Sequence, residues 1–386
     1  MALKDFALIT AIFLFSLSSS ATKPTLPNYV LSFGVSYIVV GSVLSGLGYS
    51  RLLVEAPLGI AIDKIGRRRI ALAGIVFSIV GAVIGGLATD VSFLYAYVIL
   101  TGLASSLFFS SIFTIINEIA PPKETGGYYG GSIAAIYLGS IVGPPLGGYL
   151  STNQNLRMPF AASALLTAVA LVFVAAGTKG YSYTMTDSGS SDYYEYLRRL
   201  FVSRRLFFVN LVGFLNPFTM SCVASTILPL YGEKYLGLDF ARIGVVFAVM
   251  SIFSFLVSAP SGLLSDRVGR APLLAGGFLF FAAAGYLFSF SDGFFMLLVP
   301  SALLGLGDGL ISPSMWASLS DLVSQREKAI STGVFRTFIA LGLSSGPLAA
   351  GVLLNLLDIK LIFYVMSIIA LLAMIGNIVL LKKQRI

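Results

Sequence analysis

Apolar stretches of about twenty residues alternate with short loops of charged and turn-forming residues along nearly the whole chain. A helix rises about 1.5 Å per residue, so about 20 apolar residues cross the ~30 Å hydrocarbon core of a bilayer. The pattern therefore predicts an all-α polytopic membrane protein with twelve transmembrane helices. In the first half the predicted spans are 6–26, 35–61, 70–88, 93–117, 127–150 and 158–177. In the second half they are 207–230, 240–264, 272–290, 294–319, 330–353 and 361–381. A polar segment, 178–205, separates the halves; it contains TDSGSS and ends in DYYEYLRRLFVSRR. That composition predicts a flexible linker followed by an amphipathic helix at the membrane surface. Three regions result: a six-helix bundle over 1–177, a central loop over 178–205 and a second six-helix bundle over 206–386.

Composition agrees with burial in lipid. The chain is 57% hydrophobic and 11% charged, too few charges to coat a soluble domain of 386 residues. Its formal net charge of +8 does not point to nucleic acid, because the basic residues sit in short loops between apolar runs. With the amino terminus in the cytoplasm, eighteen Lys and Arg fall in inside segments and five outside, while Arg51 and Arg336 lie within spans. This asymmetry predicts a multi-pass cell-membrane protein with both termini and the central loop in the cytoplasm. One cysteine, Cys222, and no histidine exclude a disulfide framework, imidazole–zinc sites and histidine triads. No nucleophile–base pair or metal cluster is found, so an enzyme, a cofactor and a resident metal are not expected. Residues 1–22 resemble a signal peptide in having a charged start, an apolar core and a small-residue end.

An internal repeat argues against that reading. The halves overlay without a gap at an offset of 203, which pairs Pro57 with Pro260, Gly59 with Gly262, Asp63 with Asp266, Gly66 with Gly269 and Arg67 with Arg270. The same register pairs Gly102 with Gly305, Gly139 with Gly342, Gly143 with Gly346 and Pro144 with Pro347. It also sets the first span opposite the seventh, so the first span is expected to be retained. Two parallel six-helix repeats are an architecture that transporters use.

The loop after span 2 reads GIAIDKIGRRR, and its copy after span 8 reads GLLSDRVGR. Here the sequence resembles the major facilitator superfamily, whose signature in these loops is G-x-x-x-D-[RK]-x-G-[RK]-[RK]. Gly59, Asp63, Lys64, Gly66, Arg67 and Arg68 satisfy it in the first loop; in the second, Ala271 stands at the final basic position. The resemblance implies a latch holding the cytoplasmic side shut, with Asp63, Arg67 and Glu118 in one half. Asp266, Arg270 and Asp321 are the counterparts in the other, and Arg336 is placed to bridge the two. Positive-inside topology alone explains the arginines but not the aspartate among them.

Span 5 carries GSIVGPPLGG, with Gly139, Gly143, Pro144, Gly147 and Gly148. This resembles the G-x-x-x-G-P-x-x-G-G element of the family's antiporter branch, in particular drug exporters. Small residues four apart also make a helix-packing seam, and span 11 repeats the pattern as GLSSGPLAAG. Charges within spans cost about 2.5–3.5 kcal/mol each at a helix centre and mark functional sites. Arg51 and Glu55 are four apart on one face of span 2, and Asp308 sits mid-span in the GLGDG of span 10. Asp308 has no basic neighbour in its own helix, which makes it the leading proton-coupling candidate, with Glu55 and Arg51 the others.

Two departures from the family's exporters stand out. The acid common midway along span 1 is lacking, with only Asp5 at the cytoplasmic end, and Val98 occupies the position of a common span 4 arginine. The leading expectation is a monomeric secondary transporter coupling protons to efflux of small amphipathic or drug-like compounds. Uptake or exchange of an organic anion, sugar or amino acid is the alternative, and a non-transporting membrane receptor or assembly protein is a third. Asn216, Ser221 and Trp316 are further candidates for lining the substrate path. The expected partners are a small-molecule substrate, protons and the lipid bilayer, and no nucleic acid.

Overall fold

The computed structural model describes residues 3–121, 125–151, 155–180, 193–324 and 327–381. Every regular element among them is helical, as the alternation of apolar runs and short loops requires. The first half holds α1 (Leu3–Ala21), α2 (Leu26–Leu31), α3 (Tyr37–Ile65), α4 (Arg67–Gly86), α5 (Val91–Ile119), α6 (Thr125–Leu150) and α7 (Met158–Gly177). Then follow α8 (Tyr193–Val202), α9 (Arg204–Thr219), α10 (Leu228–Leu230), α11 (Phe240–Val268), α12 (Arg270–Phe288), α13 (Phe294–Leu322), α14 (Lys328–Leu356) and α15 (Ile359–Leu381). Two π-helical stretches, Met220–Ile227 and Tyr231–Tyr235, flank α10, so the seventh span runs unbroken from Arg204 to Tyr235. Pro217 and Pro229 lie in this span, and each removes a backbone donor from the ordinary ladder.

Eleven helices among the described residues are long and apolar enough to cross a membrane. The twelfth, α1, is a shorter apolar helix. It stops at Ala21, before the predicted end at 26, because Pro24 in the next turn cannot continue the ladder. Elsewhere the helices overrun the predicted spans, α11 reaching Val268 and α13 Leu322, since apolar runs mark the lipid-crossing part and not the whole helix.

The chain divides into two compact units. One comprises Met1–Val35, Ser42–Asp187 and Leu238–Ala248, the other Ser36–Gly41, Ser188–Gly237 and Val249–Ile386. In the first, α1 is central: Leu8, Ala11, Ile12 and Phe15 are buried with Ile75, Phe108, Ile112 and Val174. Phe15 stacks on Phe108 with ring centroids 4.3 Å apart.

The same close approaches recur in each unit. A methyl added at Gly74 of α4 would meet Ala104 and Phe108 of α5, and one at Gly277 of α12 would meet Gly307 and Ile311 of α13. Likewise Gly102 lies against Leu47, and Gly305 against Met250. Each of these pairs of contacts is related by the offset of 203 residues. The signature loops repeat too. Gly66 has φ +97° and Gly269 φ +98°, a region costly for any residue with a Cβ. Each donates its N–H to the carbonyl four residues back, closing one helix before the next begins. By contrast, a methyl at Gly262 meets nothing within 4 Å, so of the two loop glycines in that unit the turn glycine is the one the backbone requires.

The amphipathic α8 hides part of its apolar stripe in protein. Tyr196 and Leu200 are buried and the helix packs on α9 and α14, while Phe201 and Val202 remain exposed. The TDSGSS stretch lies outside the described residues.

Candidate functional site

Two sets of charged side chains lie inside the spans, one in each unit. In the first, Arg51 and Glu55 are one turn apart on α3, with Arg51 Nε 3.4 Å from Glu55 Oε1. That separation is electrostatic pairing without hydrogen-bond alignment, since Arg51 Nε finds no hydrogen-bond acceptor. Ser106 of α5 donates weakly to Glu55 Oε1 at 3.5 Å. Glu55 is 9% exposed, so its charge is held mainly by Arg51.

The second set is more closely built. Asp308 is half-buried in α13, where Gly305 and Gly309 let α11 approach at Met250 and Ser254. Ser254 of α11 donates to Asp308 Oδ2 at 2.8 Å, and Ser312, one turn on, donates to Oδ1 at 3.1 Å. Asn216 of α9 reaches Asp308 Oδ1 and Ser312 Oγ through Nδ2, each at 3.3 Å. Three helices thus converge on one carboxylate. Spacing alone would have found Ser312, four residues from Asp308. Ser254 stands at the repeat position of Arg51, a signal visible only when the halves are overlaid. Ser221 bonds Gly342 O at 3.3 Å, and Trp316 packs edge-on against Phe335 at 4.7 Å, so both are engaged within their own unit.

The signature-loop residues form a charge pair in each unit. Arg67, 5% exposed, places Nη2 2.7 Å from Glu118 Oε1. Arg270 places Nε 3.0 Å from Asp321 Oδ2 and also contacts Asp266 and Ser265. Asp63 lies on α3, but its side chain is outside the described residues. Arg336 is half-buried in α14, next to the ring contact of Phe335 with Trp316. An open cavity of about 390 Å³ lies at the first loop, lined by Lys64, Gly66, Arg67, Arg68, Arg69 and Leu72 among others.

The GSIVGPPLGG glycines are packing positions. Added methyls at Gly139, Gly143 and Gly147 would strike the backbone of α1 between Phe13 and Ala21, while one at Gly148 would strike Phe240. Pro144 receives Gly244 against its carbonyl, and Gly342 and Gly346 make the equivalent approach to α9 and the π-helical turn after it.

A charge clamp at α8 went unseen in the sequence. Arg199 Nη1 binds both carboxylate oxygens of Glu327, at 2.6 and 2.8 Å, and Nη2 reaches Leu322 O at 3.1 Å. Glu327 is held below the usual carboxylate range, first by the N–H of Ser324, then by the Ser324 hydroxyl and Arg199, against an opposing effect of burial. Its only sequence signal was a bidentate-capable arginine on an amphipathic helix.

The family model described as Major Facilitator Superfamily matches residues 8–235 and 209–385. Multidrug resistance protein 2 of Bacillus subtilis strain 168 is 24% identical over 356 residues, covering 90% of this chain and 88% of that protein. Quinolone resistance protein NorA of Staphylococcus aureus is 22% identical over 364 residues, covering 91% and 89%. Among solved structures, a POT family transporter in complex with a thioalcohol-conjugated peptide superposes with a TM-score of 0.84 at 14% identity, covering 98% of this chain and 96% of that one. The nucleoside transporter NupG superposes at 0.77 with 16% identity, covering 97% and 99%. At these identities the structures speak for the fold.

Proposed function

The chain belongs to the Major Facilitator Superfamily, and we propose that this multi-pass membrane transporter exports small amphipathic or cationic compounds, driven by protons that enter at Asp308. The direction and substrate class are supported by the relatives that align over nine-tenths of the chain, which are named for multidrug and quinolone resistance. The observation that carries the coupling role is the convergence of Asn216, Ser254 and Ser312 on a half-buried carboxylate in the middle of α13. A proton there removes a charge that a bilayer-spanning helix holds at a cost. Glu55, by contrast, is already balanced by Arg51.

Arg67–Glu118 and Arg270–Asp321 serve as paired cytoplasmic latches, with Asp266 beside the second pair. The protein works as a monomer in the cell membrane, with both termini and the central loop in the cytoplasm. Arg51, the cation of the first unit, leaves room for a second reading in which an organic anion is carried. Reconstitution decides between them. Proteoliposomes with an acid lumen should accumulate the cationic dye ethidium as protons leave. Transport of organic anions alone, indifferent to the gradient, would favour the second reading.

A further inference from the structure

The group around Asp308 has a composition that proton transfer alone does not require. Asp308 and Ser312 come from α13, Ser254 from α11 and Asn216 from α9. Ser254 and Asn216 are almost wholly buried, at 3% and 4% exposure. As the amide stands, Nδ2 faces the carboxylate while the buried Oδ1 has no hydrogen-bond partner. Turning the amide over exchanges oxygen for nitrogen without moving its heavy-atom positions appreciably. Five oxygens then gather about one carboxylate: its own two, the Ser254 hydroxyl at Oδ2, and the Ser312 hydroxyl and Asn216 amide oxygen at Oδ1. Hydroxyl hydrogens rotate freely, so both serines can present lone pairs.

An all-oxygen set with a single negative charge matches a hard monovalent cation. A divalent ion would leave one positive charge uncompensated within the bilayer, which is costly. Softer transition metals need nitrogen or sulfur ligands, and among the described residues no cluster of three or more His, Cys, Asp or Glu exists. The charged side chains of the helices packed about the site are Arg204 and Arg205 on α9, Arg242, Asp266 and Arg267 on α11, Arg270 on α12, Asp321 on α13, Lys328 and Arg336 on α14 and Lys360 on α15. All but Arg336 sit near helix ends.

We propose that Asp308, Asn216, Ser254 and Ser312 form a sodium-binding site, in which the ion and a proton compete for the same carboxylate. The site deepens the coupling role given to Asp308 and rests on that reading for its link to transport; sodium binding itself rests only on the geometry. Occupation by either ion leaves the carboxylate neutralised, so either can discharge the span.

Binding to the folded state raises its stability by mass action. The purified full-length protein should therefore melt at higher temperature in sodium chloride than in choline or potassium chloride of equal ionic strength. The rise should saturate with sodium concentration and shrink as pH falls and protons take the carboxylate. Asp308→Asn should abolish it, and Asn216→Leu and Ser312→Ala should each weaken the apparent sodium affinity by tenfold or more. Direct binding of radioactive sodium by the same variants provides a readout independent of their stability. Equal melting in sodium and choline at every pH, together with radioactive sodium bound no better by the native chain than by Asp308→Asn, would overturn the site. A sodium effect that persists in Asp308→Asn would overturn it equally. If sodium binding fails while Asp308→Asn still abolishes pH-driven transport, the site falls and the proton reading stands; sodium binding in a protein whose transport ignores pH would separate them the other way.

Discussion

Arg67 and Glu118 meet at 2.7 Å, and the residues 203 positions later, Arg270 and Asp321, meet at 3.0 Å in the same way. One end of each pair follows a turn glycine with positive φ, Gly66 or Gly269; the other closes a long helix, α5 or α13. The loop signature therefore encodes two things: a sharp turn that only glycine makes without strain, and a cation delivered to a carboxylate on a neighbouring helix.

Breaking the first pair tests its structural share. Arg67 is nearly buried, so Glu118→Gln should lower stability by about 1.5–3 kcal/mol, the range for hydrogen bonds to charged groups. Thermal unfolding of the purified variant measures this. Asp321→Asn should cost less, because the Arg270–Asp321 pair is more exposed than Arg67–Glu118.

The glycine seam of α6 is set by backbone contact. Gly147→Val should destabilise strongly, beyond the about 1–3 kcal/mol usual for overpacking, because the added carbon falls on the backbone of Ala21. Gly127→Ala in the same helix, with nothing within 4 Å, should leave the melting temperature unchanged or slightly raised. Equal effects would mean that α1 and α6 separate readily.

Acid should release α8. Glu327 titrates below its ordinary value in the folded chain, so its contribution is complete above the ordinary glutamate range and is lost as pH falls through the lowered folded value. A spin label at Phe201→Cys, in a Cys222→Ser background, should gain mobility across that acid window. Glu327→Gln should give the mobile spectrum at neutral pH. An unchanged spectrum in both cases would show that Tyr196 and Leu200 alone hold the helix.

Topology is testable by reporter fusions after Ser190 and at the carboxyl terminus, which should both read cytoplasmic. An external signal at either site would invert or break the twelve-span arrangement.

The sequence carried most of the fold, for physical reasons that differ by element. Helix existence was legible because a bilayer demands continuous apolar runs, and the repeat was legible because Gly66, Gly269, Gly102 and Gly305 have backbone duties that tolerate no substitute. Helix ends were not, since α11 and α13 continue beyond the apolar runs that defined their spans. The π-helical turns of the seventh span also left no periodic signature beyond its prolines. At the site, Asp308 was visible as an isolated charge, whereas Ser254 looked like any helical serine until α11 was folded against α13. The pairing of Arg199 with Glu327 joins residues 128 positions apart, outside any local pattern.

The proposed role of Asp308 is to couple proton movement to export. Its most direct test is ethidium transport by native and Asp308→Asn protein in proteoliposomes, with and without a pH gradient. Native protein should move the dye against its own gradient when the pH gradient is imposed. The variant, fixed in a neutral form, should equilibrate dye down its gradient at a comparable rate and ignore pH. Retained uphill, pH-dependent transport by Asp308→Asn would contradict the account.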